Sequence, residues 1–203
     1  MSLKTIQGSP CRIDKRTLIA QHLYQNLQRL PFLPSSRPYN LTVCHEKSFL
    51  WFRVAKVGTR TIFKHFERNH LKLDAEHPMS IYYPVKAYEN YTKFAFVRNP
   101  WDRLVSCWHD KVLGMNYFRF SNIKHTQMQH FANFVAWVGR LNIETCDPHL
   151  RLQCRLIDLN HIDFIGRLEH FSTDLATIFR QLNIPYVENI RKNVYDEEGT
   201  QCP

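Results

Sequence analysis

No Cys-x-x-Cys pair occurs in the chain, although cysteines stand at Cys11, Cys44, Cys107, Cys146, Cys154 and Cys202. That absence removes the zinc knuckle and the thioredoxin-type dithiol. Only Cys146, His149 and Cys154 fall close together, and two thiols with one imidazole are too few for a structural zinc site. No apolar run approaches the length of a membrane span, and the polar N-terminus has no apolar core of signal-peptide length. A soluble chain in a reducing, cytoplasmic compartment is expected, with a soluble fragment of an anchored protein as the alternative. There is no repeat and no low-complexity segment. The Walker pattern of two glycines ending in Gly-Lys-Ser/Thr is missing, as is a recognisable magnesium carboxylate. Acidic residues are outnumbered: 18 Asp+Glu stand against 27 Lys+Arg, a formal charge of +9. A basic balance favours polyanionic partners. The hydrophobic content of 44% and the 203-residue length fit one globular domain with ample material for a core.

What is present is organised around Ser48 to Phe66. Leu50, Phe52 and Val54 alternate as in a strand. The run breaks at Lys56-Val57-Gly58-Thr59, and a helix opens through Arg60 and Thr61 with Ile62, Phe63 and Phe66 as its apolar positions. A strand-to-helix loop carrying a lysine, a glycine and hydroxyls suits an anion, because unpaired amides and the positive end of the helix dipole meet there. Lys56 to Thr61 are thus read as a site for a phosphate- or sulfate-bearing group; the alternative is a solvated loop lysine.

Before this stretch, residues 1–40 read as an N-terminal helix over 15–30 and a Pro-rich linker packed on the core, and residues 41–203 as the main domain. Leu41 to His45 and Ser48 to Val54 pair around a Glu46-Lys47 turn. Residues 67–92 read as a long loop containing His77. Phe94 to Val97 form a short, wholly apolar strand of the buried parallel kind. Asn99 then caps a helix with Pro100 in its first turn and Asp102 adding negative charge. Ile123 to Leu141 reads as one further amphipathic helix, Asn160 to Gly166 as a strand, and Ser172 as the cap of a last helix. Strands alternating with helices predict a single α/β domain with a mostly parallel central sheet flanked by helices. Ligands of such sheets bind at the carboxyl ends of the strands, where Lys56 and Arg98 both fall.

With both units in view, the chain resembles the PAPS-dependent sulfotransferases, and within them the carbohydrate branch (heparan, chondroitin, HNK-1-like; sulfotransferase family 2). Val54 to Thr61 is similar to that family's Pro-Lys-x-Gly-x-Thr loop, with Ala55 in place of the proline. Phe96-Val97-Arg98-Asn99-Pro100-Trp101-Asp102-Arg103-Leu104-Val105-Ser106 matches its FVRxPxxRLVS segment. Supporting likenesses are His149 with Gln153, Asp163 to Phe171, and Asn193 with Tyr195 to Glu197.

The resemblance implies a P-loop-kinase-like sulfotransferase fold and transfer of a sulfuryl group from PAPS (3′-phosphoadenylyl sulfate) to a hydroxyl, with PAP as product. Lys56 would stabilise the departing phosphate. Val57, Gly58, Thr59, Arg60 and Thr61 would cradle the 5′-phosphate, and Arg98 with Ser106 would hold the 3′-phosphate. No metal is implied, since the cations are side chains. Arg98 alternatively makes a structural ion pair with Asp102 or Glu169, and Arg103 reads as structural. The base that takes the acceptor proton is assigned to His77 first and His149 second, with Gln153 beside it; Glu169 and Glu67 are weaker candidates. The aromatic residues Trp101, Trp108, Tyr117, Phe118 and Phe120, with the basic charge, suit a carbohydrate acceptor. No nucleic acid partner is expected, and a Golgi-type member is the alternative to a cytoplasmic one. Two rival classes are a non-catalytic polyanion- or nucleotide-binding module and a P-loop small-molecule kinase.

Overall fold

The computed structural model describes residues 34–187. The expected helix over 15–30, its packing on the core, and the segment from Asn193 to Glu197 lie outside the described residues.

Strand β1 (Tyr39–Cys44) turns into β2 (Phe49–Phe52) through four residues, so the two pair antiparallel. Helix α1 (Thr59–Arg68) follows, then β3 (Ala75–Ile81), β4 (Thr92–Val97) and α2 (Pro100–Trp108). A π-helical turn (His109–Leu113) continues α2 and leads to α3 (Asn122–Met128) and α4 (Phe131–Val138). A 3-10 turn (Gln153–Arg155) lies ahead of β5 (Phe164–Arg167) and α5 (Phe171–Gln181). The strand order is β3-β1-β2-β4-β5. The β2, β4 and β5 strands run parallel, while β1 is antiparallel to both of its neighbours. The sheet is therefore mixed, and Lys56 and Arg98 follow the carboxyl ends of two of its parallel strands. The described residues form an α/β domain whose mixed sheet is flanked by five α-helices.

The sheet is buried on both faces, which explains why β2 and β4 read as continuous apolar runs instead of alternating. On one face Phe66 of α1 stacks on Phe49 at 5.2 Å, and Phe179 of α5 stacks on Phe66 at 5.7 Å. On the other, Tyr39, Phe52 and Tyr83 meet edge-on and share their cluster with Leu156 and Ile157. A second, smaller core joins α2 to α3 and α4 through Cys107, Val112, Phe120, Met128, Phe134 and Leu150.

Four expectations change in detail. The long loop over 67–92 contains β3, whose polar residues hid it; as a sheet edge it can carry Pro78 without losing an inner ladder bond. The single helix over 123–141 is two, because the indole of Trp108 donates to the carbonyl of Met128 at 2.9 Å and ends α3 there. The strand expected from Asn160 starts only at Phe164, since Asp158 first folds the chain into a turn with Asn160 and His161. The last helix starts at Phe171, following a 3-10 turn (Leu168–His170) instead of a Ser172 cap.

Gly166 of β5 sits against Phe96: a Cβ there would fall 2.4 Å from Cε1 of that ring. Phe96 is held by Phe164 and Phe171 and has no room to yield. Gly166→Ala is expected to lower unfolding stability by about 1–3 kcal/mol through overpacking, measured by urea denaturation; an unchanged midpoint would refute the tight fit.

Candidate active site

The loop after β2 leaves the sheet at Phe52 and reaches α1 through two left-handed residues, Lys56 (φ 69°) and Gly58 (φ 78°). Glycine takes that conformation freely, whereas a lysine there is strained and must be held. Three features hold it. Val57 is buried completely, the Thr59 hydroxyl donates to the Val54 carbonyl at 3.2 Å, and Arg103 Nε donates to the Ala55 carbonyl at 3.0 Å. Helix α1 begins at Thr59 with no side chain capping it. The amides of Gly58, Thr59 and Arg60 meet no acceptor among the described residues, and they sit at the positive end of the helix dipole. Arg60 is exposed, while Thr61 is buried.

The Lys56 ammonium lies 2.8 Å from Oδ2 of Asp110 in the π-helical turn, and the Lys111 ammonium lies 3.3 Å from the same oxygen. Burial lowers the pKa of Lys56, and the hydrogen bond to Asp110 works against that shift. Burial also pushes the Asp110 carboxyl up, but the two lysines more than offset it and hold it below the ordinary range. The buried Cys107 thiol is close enough to feel Lys56, Arg103, Lys111 and Asp147, and burial pushes it up to about 12. It is therefore a packing thiol and no nucleophile.

The second cation follows β4. Arg98 has no carboxylate within ion-pair distance among the described residues, so the structural ion pair with Asp102 or Glu169 is not formed. Burial lowers its pKa, with the charges of Asp102 and Glu169 opposing. Its backbone is clamped on both sides by one amide: Arg98 N donates to Gln153 Oε1 at 2.9 Å, and Gln153 Nε2 donates to the Arg98 carbonyl at 2.7 Å. Asn99 N donates to Glu169, and the Asn99 side chain caps α2 by accepting from Trp101 N. Ser106 lies half-buried farther along α2.

Arg103 is only 6% exposed and reads all three of its surroundings. Besides Ala55 it donates to the carbonyls of Arg151 at 2.9 Å and Pro148 at 2.6 Å. The segment from Asp147 to Gln153 is thereby strapped across both cationic loops: Arg103 ties it beside Lys56, and Gln153 ties it to Arg98. His149 sits in this strap, its Nδ1 2.7 Å from Asp147. His77 lies elsewhere. It belongs to the edge strand β3, in register with Leu41, which pairs with Phe52 at the end of β2. That puts its backbone level with the carboxyl edge but two strands from β2, roughly 10 Å away. Glu67 is at the far end of α1, on the order of 12 Å along the helix from Thr59. Cys146, His149 and Cys154 form no metal-binding cluster; among the described residues no such group exists.

The sequence model of the sulfotransferase family matches residues 39–200, which spans both cationic loops and the strap between them. The chain belongs to sulfotransferase family 2. A protein of Archaeoglobus fulgidus, described only as uncharacterized, is 25% identical over 114 residues, covering 56% of this chain and 86% of that relative. No solved structure matches. No helix among the described residues of this sulfotransferase is long and apolar enough to cross a membrane. Sequence reasoning left Asp110, Lys111 and Asp147 without roles, and gave Gln153 only a place beside His149, where its amide clamps the backbone of Arg98.

Arg103→Lys keeps the charge but cannot reach three carbonyls with one ammonium. Leaving buried carbonyls unpaired is expected to cost on the order of 3 kcal/mol of stability, read by chemical denaturation. A loss below about 0.5 kcal/mol, the ordinary range for a surface change, would mean that the strap holds without it.

Proposed function

We propose that this sulfotransferase moves a sulfuryl group from PAPS to a hydroxyl, in a carbohydrate acceptor, by in-line displacement. One observation carries the reading. Two cationic loops at the carboxyl edge of the parallel strands, one with Lys56 and an uncapped helix start, one with an unpaired Arg98, are fixed to each other by a single strap. Such a donor set fits a ligand with separate phosphate groups at its two ends, which PAPS has and ATP does not. Gly58, Thr59 and Arg60 would offer amides to the 5′-phosphate, with Val57 contributing only backbone and Thr61 lying just beneath. Arg98 and Ser106 would hold the 3′-phosphate.

The chemistry is one bond exchanged for another. The acceptor oxygen bonds to sulfur as the bond from sulfur to the 5′-phosphate oxygen breaks, the acceptor proton passes to a protein base, and the 5′-phosphate of the departing PAP carries one more negative charge than it did in PAPS. Lys56 would stabilise that charge, once its ammonium exchanges Asp110 for the donor. The base is a histidine, His77 of β3 or His149 of the strap. A sugar acceptor is supported by the net charge of +9, which draws acidic glycans, and by Trp101, 75% exposed beside Arg98, which offers a stacking face. Cys44, Cys107, Cys146 and Cys154 carry free thiols, which fits a cytoplasmic home.

PAP is expected to bind at least about ten-fold tighter than ADP, the discrimination of one charge-assisted contact, in calorimetric titration; equal affinities would defeat the reading in favour of a general polyanion or nucleotide module. Lys56→Ala is expected to cut PAP release from PAPS by about 10²–10³-fold, and a near wild-type rate would remove Lys56 from the mechanism.

A further inference from the structure

We propose that Asp110 is a positioning residue for Lys56 that competes with the 5′-phosphate for the one ammonium and so speeds the departure of PAP, with Lys111 holding the carboxylate whenever the phosphate wins. The inference rests on the sulfuryl-transfer reading above and gives roles to two residues that reading leaves over.

The geometry is that of one oxygen between two cations. Helix α2 runs on into the π-helical turn (His109–Leu113), which is closed by a bond from the Gly114 amide to the His109 carbonyl at 2.9 Å. Single π turns inside helices are rare and recur at functional sites. This one puts Oδ2 of Asp110 2.8 Å from the Lys56 ammonium and 3.3 Å from that of Lys111. The three side chains are 15%, 22% and 14% exposed, so solvent screens their contacts only in part. Lys56 is fixed from behind by its left-handed backbone and by the bonds of Thr59 and Arg103 to the carbonyls just before it. Lys111 is held from a second side, its ammonium lying 4.8 Å from the centre of the Tyr117 ring.

These positions set up an exchange. A phosphate oxygen that takes Lys56 leaves Asp110 on Lys111, a pair already in contact, so no carboxylate is stranded. At the ordinary length of a charged hydrogen bond, that phosphate oxygen comes within about 6 Å of Asp110 Oδ2. Two anions so close in a shielded site repel each other. The repulsion differs between donor and product. In PAPS one oxygen of the 5′-phosphate is bonded to sulfur; once that bond breaks, the same phosphate carries a second negative charge. Asp110 therefore opposes PAP more than PAPS, and it reclaims Lys56 as PAP leaves. Burial pushes the Asp110 carboxyl up, but the two lysines bring it below the ordinary carboxylate range, so the competitor stays charged at neutral pH. An amide in its place would still accept from the lysine, without the opposing charge.

The test titrates PAP and PAPS calorimetrically without acceptor and follows PAP dissociation by stopped-flow displacement. Asp110→Asn is expected to tighten PAP about five- to ten-fold, through a slower off-rate, and PAPS by no more than about two-fold. Lys111→Met should weaken PAP about three- to ten-fold in the wild-type chain but less than about two-fold in Asp110→Asn, because Lys111 acts by holding that carboxylate. A merely structural Asp110 would give the opposite sign, weaker PAP binding together with a lower urea midpoint. Where Asp110→Asn does not fold, Asp110→Ser is measured in its place with the same expectation. Unchanged or weaker PAP binding in a folded Asp110 variant, equal tightening of PAP and PAPS, or a Lys111→Met loss as large without the carboxylate as with it each overturns the proposal; a wild-type chain that still prefers PAP to ADP then leaves sulfuryl transfer standing. A wild-type chain without that preference overturns both.

Discussion

The guanidinium of Arg103, buried under the site and bonded to the carbonyls of Ala55, Pro148 and Arg151, is the interaction on which the rest depends. A buried cation without a carboxylate is costly unless neutral acceptors satisfy it in the right geometry. Here three carbonyls from two loops do so. The cost of burial becomes a constraint, because the loops that supply the carbonyls cannot move apart without exposing an unpaired charge. One side of that constraint holds the left-handed Lys56, and the other holds the strap that bears His149.

From this anchor the arrangement of charge follows. The proposed donor site is built from cations and amides, yet it includes Asp110, a carboxylate directly on Lys56. In the free protein that carboxylate keeps a half-buried lysine charged against the pull of burial. Under the proposed function the ammonium would exchange Asp110 for the donor's phosphate, and Lys111 would remain to neutralise Asp110.

The second core, around Cys107, Phe120 and Phe134, has a comparable supporting purpose. It packs α3 and α4 against α2 and brings Tyr117 and the Asp147 turn over the π-helical turn. Its apolar burial lets a polar network of lysines, carboxylates, a tyrosine and an imidazole keep one geometry.

The sequence by itself determined the strand-loop-helix with Lys56, the Asn99 cap and Pro100 start of α2, the buried β4, the α/β class and the family. These are legible because each is set within a few residues: a glycine at a left-handed position, a side chain capping its own helix, an apolar run flanked by turn residues. Only the tertiary structure decided that Arg98 is unpaired, that Gln153 serves its backbone from 55 positions away, and that Asp110 meets Lys56 across 54. It also divided the helix over 123–141 and drew β3 out of an apparent loop, since an indole from α2 and a partner strand, not local preference, settled both. Such contacts are chosen by how distant segments pack, and no residue's own neighbours in the chain carry that information.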